Sequence, residues 1–202
     1  MKLLPLVLSV SMASASADSC AGSVVDQPGL RCSYCGAPAG RAPLRLGDVA
    51  AIACSLCGLA QHLERPRINE EARLIWLPEM SQAALNVVVR RIHCGLRGLG
   101  ERLETDARPS LPVGERTLLY HGQQALLGRA REAEVRLGTS DPAELADGLL
   151  RLSGTAYARR DALLGGVRLL PMGRLFEGSE DVYPAIVDNW RETTGHPAGG
   201  TV

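Results

Sequence analysis

Four of the six cysteines lie in two closely spaced pairs. Cys32 and Cys35 belong to the stretch "RCSYCG", and Cys54 and Cys57 follow eighteen residues later in "ACSLCG". This spacing is typical of a four-cysteine zinc site, in which each C-x-x-C turn supplies two thiolates from one short piece of backbone. Four protein ligands leave no open coordination position. The pattern therefore predicts one structural zinc ion.

The residues around the two pairs fit this prediction. A glycine follows each second cysteine, at Gly36 and Gly58, and a positive φ there would aim backbone N–H groups at the sulfurs. Zinc with four thiolates carries net negative charge, and nearby basic residues that could offset it are Arg31, Arg41 and Arg45. The stretch between the pairs has few large apolar residues, so zinc would supply on the order of 10 kcal/mol of its folding free energy.

The N-terminus offers a competing interpretation, in which the cysteines form disulfides in an exported protein. The stretch "MKLLPLVLSVSMASASA" has a lysine, a short apolar run and small residues at Ala15 and Ala17, as a signal peptide does. The same stretch alternates from Leu6 to Met12 as a strand would. Taken alone, it favours export. The C-x-x-C pairs favour zinc and a reducing compartment, because disulfides across such short loops stabilise little.

Composition bounds the remaining possibilities. The chain has 202 residues, enough for one domain with a sizeable core, and 22 basic residues balance 22 acidic ones. No dense basic run or glycine-rich phosphate loop is present, and the one long apolar run is too short to span a bilayer. We therefore expect no nucleic-acid partner, no membrane insertion and no small-molecule substrate.

Short strands and several helices must hold the cysteine pairs. The stretch "ARLIWLP" predicts a strand closed by Pro78, and Ser81 is a good N-cap for the helix "QAALNVVVRRIHCGLRGL". The expected buried stripe of this helix consists of Leu85, Val88, Ile92, Leu96 and Leu99. Another helix should begin with Asp141 as N-cap, Pro142 at its first position and Glu144 completing a capping box.

The other elements complete the predicted architecture. Further helices are expected over "RTLLYHGQQALLGRAREAEVRL", "TAYARRDALL" and "EDVYPAIVDNWRET", with "GGVRLLPMG" extended. We predict one α+β, mostly helical domain over residues 1–202. It contains a zinc module at 32–57, a helical part at 81–192 and a disordered tail at 193–202.

Catalysis is not expected. A nuclease related to a zinc finger would need a general base and side chains that hold a second metal ion, and Asp48 is the one candidate between the cysteine pairs. Cys94 adjoins a histidine, but neighbouring residues on a helix point about 100° apart, so the two do not form a nucleophile pair. No metal-ligand spacing is found for the four histidines, which are His62, His93, His121 and His196. No role is assigned to Cys20.

Several short blocks resemble one protein family. In order, "RCSYCG", "ACSLCG", "RLIWLPEMSQAALN", "HCGL", "GTSDPAEL" and "VRLLP", followed by a helix ending in Trp190, resemble the IcmJ/DotN family of type IVB (Dot/Icm-like) secretion and conjugation systems. The block "LIWLPEMSQAALN" is the most specific. Together the blocks cover under half of the residues, and they run in the family's order from Cys32 to Trp190. The spacing between the cysteine pairs is shorter than in the family, the usual basic stretch before them is missing, and residues 172–181 look inserted.

The resemblance implies a cytoplasmic, zinc-containing protein without catalytic activity, held at the inner membrane through a coupling complex. It would dock on the DotL-like coupling ATPase, with other coupling-complex subunits, and help to build the platform that receives substrates. The family's cysteine module resembles a degenerate HNH nuclease finger of the treble-clef type. Its zinc ligands would here be Cys32, Cys35, Cys54 and Cys57. Such a protein needs no signal peptide, so we interpret the stretch from Leu6 to Met12 as a strand or packed segment.

The docking surface is less well defined. Trp76, Leu77 and Pro78 lie in the most specific block and could anchor a partner helix or strand, although a tryptophan that packs the strand on the next helix is the favoured interpretation. Three arginines of that helix are expected in solvent, namely Arg90, Arg91 and Arg97. Two other classes stay open: a zinc-finger nucleic-acid binder or degenerate HNH nuclease, and an exported disulfide-bonded protein.

Overall fold

The computed structural model describes residues 3–10, 29–39, 44–45, 51–105 and 114–193, and about half of these residues are helical. The strands are short: β1 Leu44–Arg45, β2 Ile52–Ala53, β3 Ala72–Trp76, β4 Val167–Pro171, β5 Phe176–Glu177 and β6 Glu180–Asp181. The helices are α1 Ser55–Leu59, α2 Ile68–Glu71, α3 Gln82–Gly98, α4 Glu115–Gly128, α5 Ala130–Leu137, α6 Pro142–Leu150, α7 Gly154–Ala158, α8 Arg160–Leu164 and α9 Tyr183–Thr193. The fold is therefore α+β, as predicted.

A two-stranded antiparallel sheet lies at the centre of these elements. Strands β3 and β4 come from distant parts of the chain and pair with Leu74 opposite Leu169. Successive side chains of a strand point to opposite faces, so Leu74 enters one apolar cluster and Ile75 enters another. Both faces are buried, which explains why "LIWL" and "VRLLP" are nearly continuous apolar runs.

The two clusters have different composition. The cluster on the Ile75 side, here called the cysteine-side cluster, joins Cys32, Cys54 and Cys57 to α3, α9 and Trp190. The cluster on the Leu74 side, here called the far-side cluster, joins the N-terminal residues to α2, α5, α6 and α8. The sheet thus divides the apolar interior into a part that contains the cysteines and a part that does not.

Helix α3 begins where the sequence predicts. The Ser81 hydroxyl accepts a hydrogen bond from the Ala84 N–H at 3.2 Å, which confirms the N-cap. Leu85, Ile92 and Leu96 are buried as expected. Val88 and Leu99 are only partly buried, and Val89 is buried instead. The same face also buries four polar side chains that the sequence analysis did not anticipate: Gln82, Asn86, Arg90 and His93.

Other helix predictions need correction. Helix α6 begins at Pro142, but the Asp141 carboxylate forms an ion pair with Arg73 and makes no capping bond, so the expected capping box does not form. The predicted helix across residues 116–137 is divided into α4 and α5 around Arg129, whose carbonyl accepts a hydrogen bond from Trp76. The segment "TAYARRDALL" likewise divides into α7 and α8.

The N-terminal segment 3–10 is packed but forms no strand. Leu8 and Val10 are buried in the far-side cluster. The Ser9 N–H donates to the Ala60 carbonyl and the Ser9 carbonyl accepts from the Leu63 N–H, both at 3.1 Å. The structure does not describe Ala15 and Ala17, the small residues of the signal-peptide interpretation. The tail residues 194–202 also lie outside the described residues. No helix in the described ranges is long and apolar enough to cross a bilayer.

Candidate metal centre

The two cysteine pairs meet in one cluster. The Sγ atoms of Cys32, Cys35, Cys54 and Cys57 all lie within 4.8 Å of one another, and those of Cys35 and Cys54 are 3.7 Å apart. A tetrahedral zinc ion with zinc–sulfur bonds of about 2.3 Å would place its sulfurs about 3.8 Å apart. The five cysteines that the structure describes are all free of disulfides. The four sulfurs are therefore arranged as a metal site requires.

The first pair lies on a tight turn closed by backbone hydrogen bonds. The Gly36 N–H donates to the Cys32 carbonyl, and the Cys32 N–H donates to the Ala37 carbonyl, each at 2.9 Å. Gly36 has a φ of +69°, which L side chains rarely adopt, so the predicted positive φ is confirmed here, although the Gly36 N–H donates to a carbonyl and not to a sulfur. The turn brings both thiols to the same side of the backbone.

The second pair is positioned by a helix instead of a second turn. Cys54 is the N-cap residue of α1 and Cys57 lies in its first turn. Gly58 has no positive φ, and its N–H makes a helical bond to the Cys54 carbonyl at 2.8 Å, so its predicted role is wrong. The two pairs are joined directly, because the Ser33 N–H donates to the Ile52 carbonyl at 2.7 Å.

The thiols strongly affect one another's ionisation. Hydrogen bonds from Cys35, Cys54 and Cys57 lower the pKa of the Cys32 thiol far below its ordinary value. The bond with Cys32 raises the pKa of Cys35, but bonds with Cys54 and Cys57 outweigh it and leave that pKa at about 7. The pKa values of Cys54 and Cys57 are raised, chiefly by their bonds with Cys32 and Cys35. A bound divalent cation would allow all four to be thiolates.

Burial isolates most of the cluster from solvent. Cys32, Cys54 and Cys57 are buried, whereas Cys35 is partly exposed. Arg31 is exposed and donates to the Gly36 carbonyl at 3.0 Å, while Arg41 and the Arg45 side chain lie outside what the structure describes. The described hydrogen bond of Arg31 is therefore to a carbonyl, and the expected offset of the thiolate charge by Arg41 and Arg45 stays a prediction.

Arg90 corrects the expectation that the arginines of α3 lie in solvent. Its side chain is buried, donates to the Pro38 carbonyl at 3.1 Å and stacks over the Trp190 ring at 4.2 Å. Pro38 lies just after the first cysteine turn and forms an isolated antiparallel β-bridge with Arg31, which lies just before it. Arg91 is exposed as expected, whereas Arg97 is half-buried and paired with Asp188. Arg90 thus ties α3 and α9 to the first cysteine turn.

Asn86 is a residue of the site that the sequence analysis missed. Its Nδ2 donates to the Cys57 Sγ at 3.4 Å. A usable pattern was present, because Gln82, Asn86 and Arg90 follow one another at intervals of four residues and so share one face of α3. That face also carries Leu85 and Val89, which would have identified the polar residues as buried.

The other candidate residues lie away from the cluster. His62 pairs with Glu64, His93 is buried against Tyr183, and His121 is exposed. Among the described residues the four cysteines are the one group of three or more potential metal ligands. Cys94 is half-buried, and burial raises the pKa of its thiol. Asp48, His196 and Cys20 lie outside the described residues.

The predicted partner anchor is divided between interior and surface. Leu77 is buried in the cysteine-side cluster and Pro78 is exposed. Trp76 is half-buried against the far-side cluster, and the Arg136 guanidinium covers its ring at 4.2 Å. The docking of a partner at these residues stays a prediction.

No protein-family model and no curated protein sequence matches the chain.

Proposed function

We propose that Cys32, Cys35, Cys54 and Cys57 bind one structural zinc ion. The observation that carries this proposal is the convergence of four sulfurs, all within 4.8 Å, in a largely buried site. Four thiolates suit zinc, which is commonly bound by sulfur ligands in tetrahedral geometry. A structural zinc ion needs no open coordination position. Zinc would tie together the two short pieces of chain that carry the cysteine pairs.

We further propose that the module is a treble-clef finger. A tight turn carries the first pair, the antiparallel β1–β2 pairing follows, and α1 then presents the second pair from its N-terminus. This order of turn, hairpin and helix is the one that such a finger uses. The proposal agrees with the family resemblance, which implies a degenerate HNH-like finger.

A binding role is better supported than a nuclease role. The described histidines do not approach the cysteine cluster, and no second group of potential metal ligands accompanies it in the described ranges. Nucleic-acid binding would need free cations on one face, but many arginines form ion pairs with carboxylates. These are Arg65, Arg67, Arg73, Arg97, Arg102, Arg116, Arg129, Arg136 and Arg191.

The role that we propose is that of a non-catalytic subunit of a type IVB coupling complex, acting on the cytoplasmic side of the inner membrane. The block most specific to the IcmJ/DotN family, "LIWLPEMSQAALN", forms β3, the Pro78 turn and the start of α3, and "VRLLP" forms β4. The resembling blocks thus build the sheet and the helix that support the cysteine cluster. A protein that keeps four free thiols also suits a reducing compartment.

Metal analysis tests the zinc site. We expect one zinc per chain in protein purified without chelator, loss of that zinc in Cys54→Ser, and full retention in the control Cys94→Ser. The control removes a half-buried thiol that is not part of the cluster. Absence of metal together with oxidised cysteines in the wild-type protein would contradict the proposal and favour the exported alternative.

A binding assay tests the proposed role separately. The zinc-loaded chain is expected to bind the purified cytoplasmic region of a type IV coupling ATPase, and metal-free Cys54→Ser is expected to bind it more weakly. Salt-dependent binding to a DNA duplex, without binding to the ATPase, would favour the nucleic-acid alternative instead. Neither result of this binding assay changes what the metal analysis shows about the zinc site.

A further inference from the structure

Two buried amides connect the cysteine cluster to the central sheet. The Asn86 Nδ2 donates to the Cys57 Sγ at 3.4 Å, and the Gln82 Nε2 donates to the Asn86 Oδ1 at 2.9 Å. Asn86 is 2% exposed and Gln82 is 3% exposed. Because they lie four residues apart on α3, both side chains reach along the same face of the helix. Their contacts therefore form a continuous path inside the protein.

The far end of this path is the backbone of β4. The Gln82 Oε1 accepts a hydrogen bond from the Leu169 N–H, and the Gln82 Nε2 donates to the Leu169 carbonyl, each at 2.8 Å. Gln82 thus occupies the outer edge of β4 as a peptide group of a third strand would. The Gln82 amide is therefore held by the backbone of the sheet.

These contacts fix the orientation of both amides. A backbone N–H can only donate, so the atom of Gln82 that faces the Leu169 N–H must be the oxygen. The Gln82 nitrogen then uses its two hydrogens on the Leu169 carbonyl and on Asn86, so Asn86 must present its oxygen there. The remaining Asn86 group, an N–H donor, faces the Cys57 sulfur. The β4 backbone thereby determines that the sulfur receives a hydrogen bond.

We propose that Asn86, oriented by Gln82 and the β4 backbone, is a positioning residue of the metal centre and couples metal occupancy to the outer edge of β4. This inference rests on the proposed zinc site. An N–H group that donates to a metal-bound thiolate stabilises the negative charge on the sulfur and fixes the direction of its lone pairs. Such partners of metal ligands change metal affinity by about 10- to 100-fold when they are removed.

The variant Asn86→Leu tests the positioning role, because it keeps a side chain of similar size without a donor. In the zinc-loaded full chain, competition with a chelator should show about 10- to 100-fold weaker zinc binding. The matched control is Gln123→Leu, which removes another buried amide, whose Nε2 donates to the Thr105 hydroxyl at 2.9 Å instead of to a cysteine. The control should leave zinc affinity unchanged.

Cobalt substitution gives an absorption band whose wavelength would not change if a variant were merely less stable. Loss of the hydrogen bond raises the electron density on the Cys57 sulfur, so the sulfur-to-cobalt charge-transfer band of Asn86→Leu should move to longer wavelength. The band of Gln123→Leu should stay in place. If wild type and Asn86→Leu have equal zinc affinity and identical cobalt spectra, the inference is overturned while the zinc site stands. If wild type binds no metal, both are overturned.

Amide hydrogen exchange tests the coupling in the wild-type chain, without relying on a variant that folds. Removal of zinc should accelerate exchange of the Leu169 N–H, which Gln82 holds. The comparison amide is Leu74, which donates to the Ser140 carbonyl on the opposite edge of the sheet at 2.8 Å. Greater loss of protection at Leu169 than at Leu74 supports the coupling. No change at Leu169, or equal loss at both amides, overturns it.

Discussion

The buried imidazole of His93 should make stability depend on pH. His93 is 1% exposed, its Nδ1 lies 2.6 Å from the Tyr183 hydroxyl, and its Nε2 lies 3.2 Å from the Gln123 Nε2. Desolvation lowers its pKa from 6.5 to about 4. The unfolded chain therefore binds a proton at a pH where the folded protein does not.

We predict that this difference destabilises the protein as the pH falls from about 6.5 to about 4. The contribution is fully present above the unfolded pKa and amounts to about 3 kcal/mol over the whole interval. The measurement is the free energy of unfolding of wild type and His93→Gln, as a function of pH, with zinc in excess. The variant should show a smaller slope between these pH values. Identical slopes would contradict the prediction.

Gly173 should tolerate no side chain. It has a φ of +81°, and an added Cβ would clash with the Leu103 carbonyl oxygen. Gly173→Ala combines the cost of a left-handed conformation with that of overpacking, about 2 to 4 kcal/mol of the free energy of unfolding. The control Gly178→Ala has a φ of +61° and no atom within 4 Å, so it should cost only about 1 kcal/mol. Equal losses in urea unfolding would show that the close approach to Leu103 is wrong.

Sequence alone predicts some of these residues and not others. The cysteine cluster could be predicted because each pair is local, and two residues separate its members whatever the fold around them. The burial of Asn86 and Arg90 could be inferred from their spacing on the apolar face of α3, but their partners could not, because these depend on which element covers each part of the helix. Asp141 shows the same limit. The local sequence predicts a helix cap, but the Asp141 carboxylate forms an ion pair with Arg73, which is distant in the chain.

At the scale of elements, the N-terminal segment should contribute to the core. Leu8 is 3% exposed and packs in the far-side cluster, while Leu4 is 40% exposed. The Tyr157 hydroxyl holds the segment by accepting from the Val10 N–H at 3.0 Å and donating to the Val10 carbonyl at 2.9 Å. These contacts link the segment to α7, far along the chain.

We expect Leu8→Ala to lower the free energy of unfolding by about 2 to 5 kcal/mol, since it leaves a cavity beside the sheet. The matched control Leu4→Ala should change it by no more than about 0.5 kcal/mol. Denaturant unfolding of the two variants provides the measurement. A loss for Leu8→Ala no larger than that for Leu4→Ala would mean that the segment is not packed as the structure describes.

The strands of the central sheet illustrate what sequence patterns can show about elements. β3 and β4 are predicted because apolar runs next to proline and glycine mark them locally. Their pairing is not predictable from either run, because about ninety residues separate them and the register depends on the helices around the sheet. The division of the helix at Arg129 was not predicted either, because it coincides with a contact from a distant strand: the Arg129 carbonyl accepts from the Trp76 N–H of β3 as well as from the Ala133 N–H.

At the scale of the whole molecule, the sheet should limit how far the effect of metal removal spreads. Trp190 is buried in the cysteine-side cluster and contacts Arg90, which in turn bonds to the first cysteine turn. Trp76, the other tryptophan of the chain, faces the far-side cluster. Loss of zinc should therefore alter the surroundings of Trp190 before those of Trp76.

Single-tryptophan variants can separate the two sides. When zinc is removed by a chelator, the fluorescence of Trp76→Phe, which retains Trp190, should shift to longer wavelength. That of Trp190→Phe, which retains Trp76, should shift less under the same conditions. An equal shift in both variants would indicate that the molecule loses its structure as one unit.

The most direct test of the central claim is X-ray absorption at the zinc edge on protein purified with its native metal. We predict one zinc per chain surrounded by four sulfur atoms at about 2.3 Å, with no nitrogen or oxygen ligand. Replacing Cys35 by histidine should convert the shell to three sulfurs and one nitrogen if that partly exposed residue is a ligand. A wild-type shell containing nitrogen or oxygen, or a protein without zinc, would contradict the claim that these four cysteines form a closed structural site.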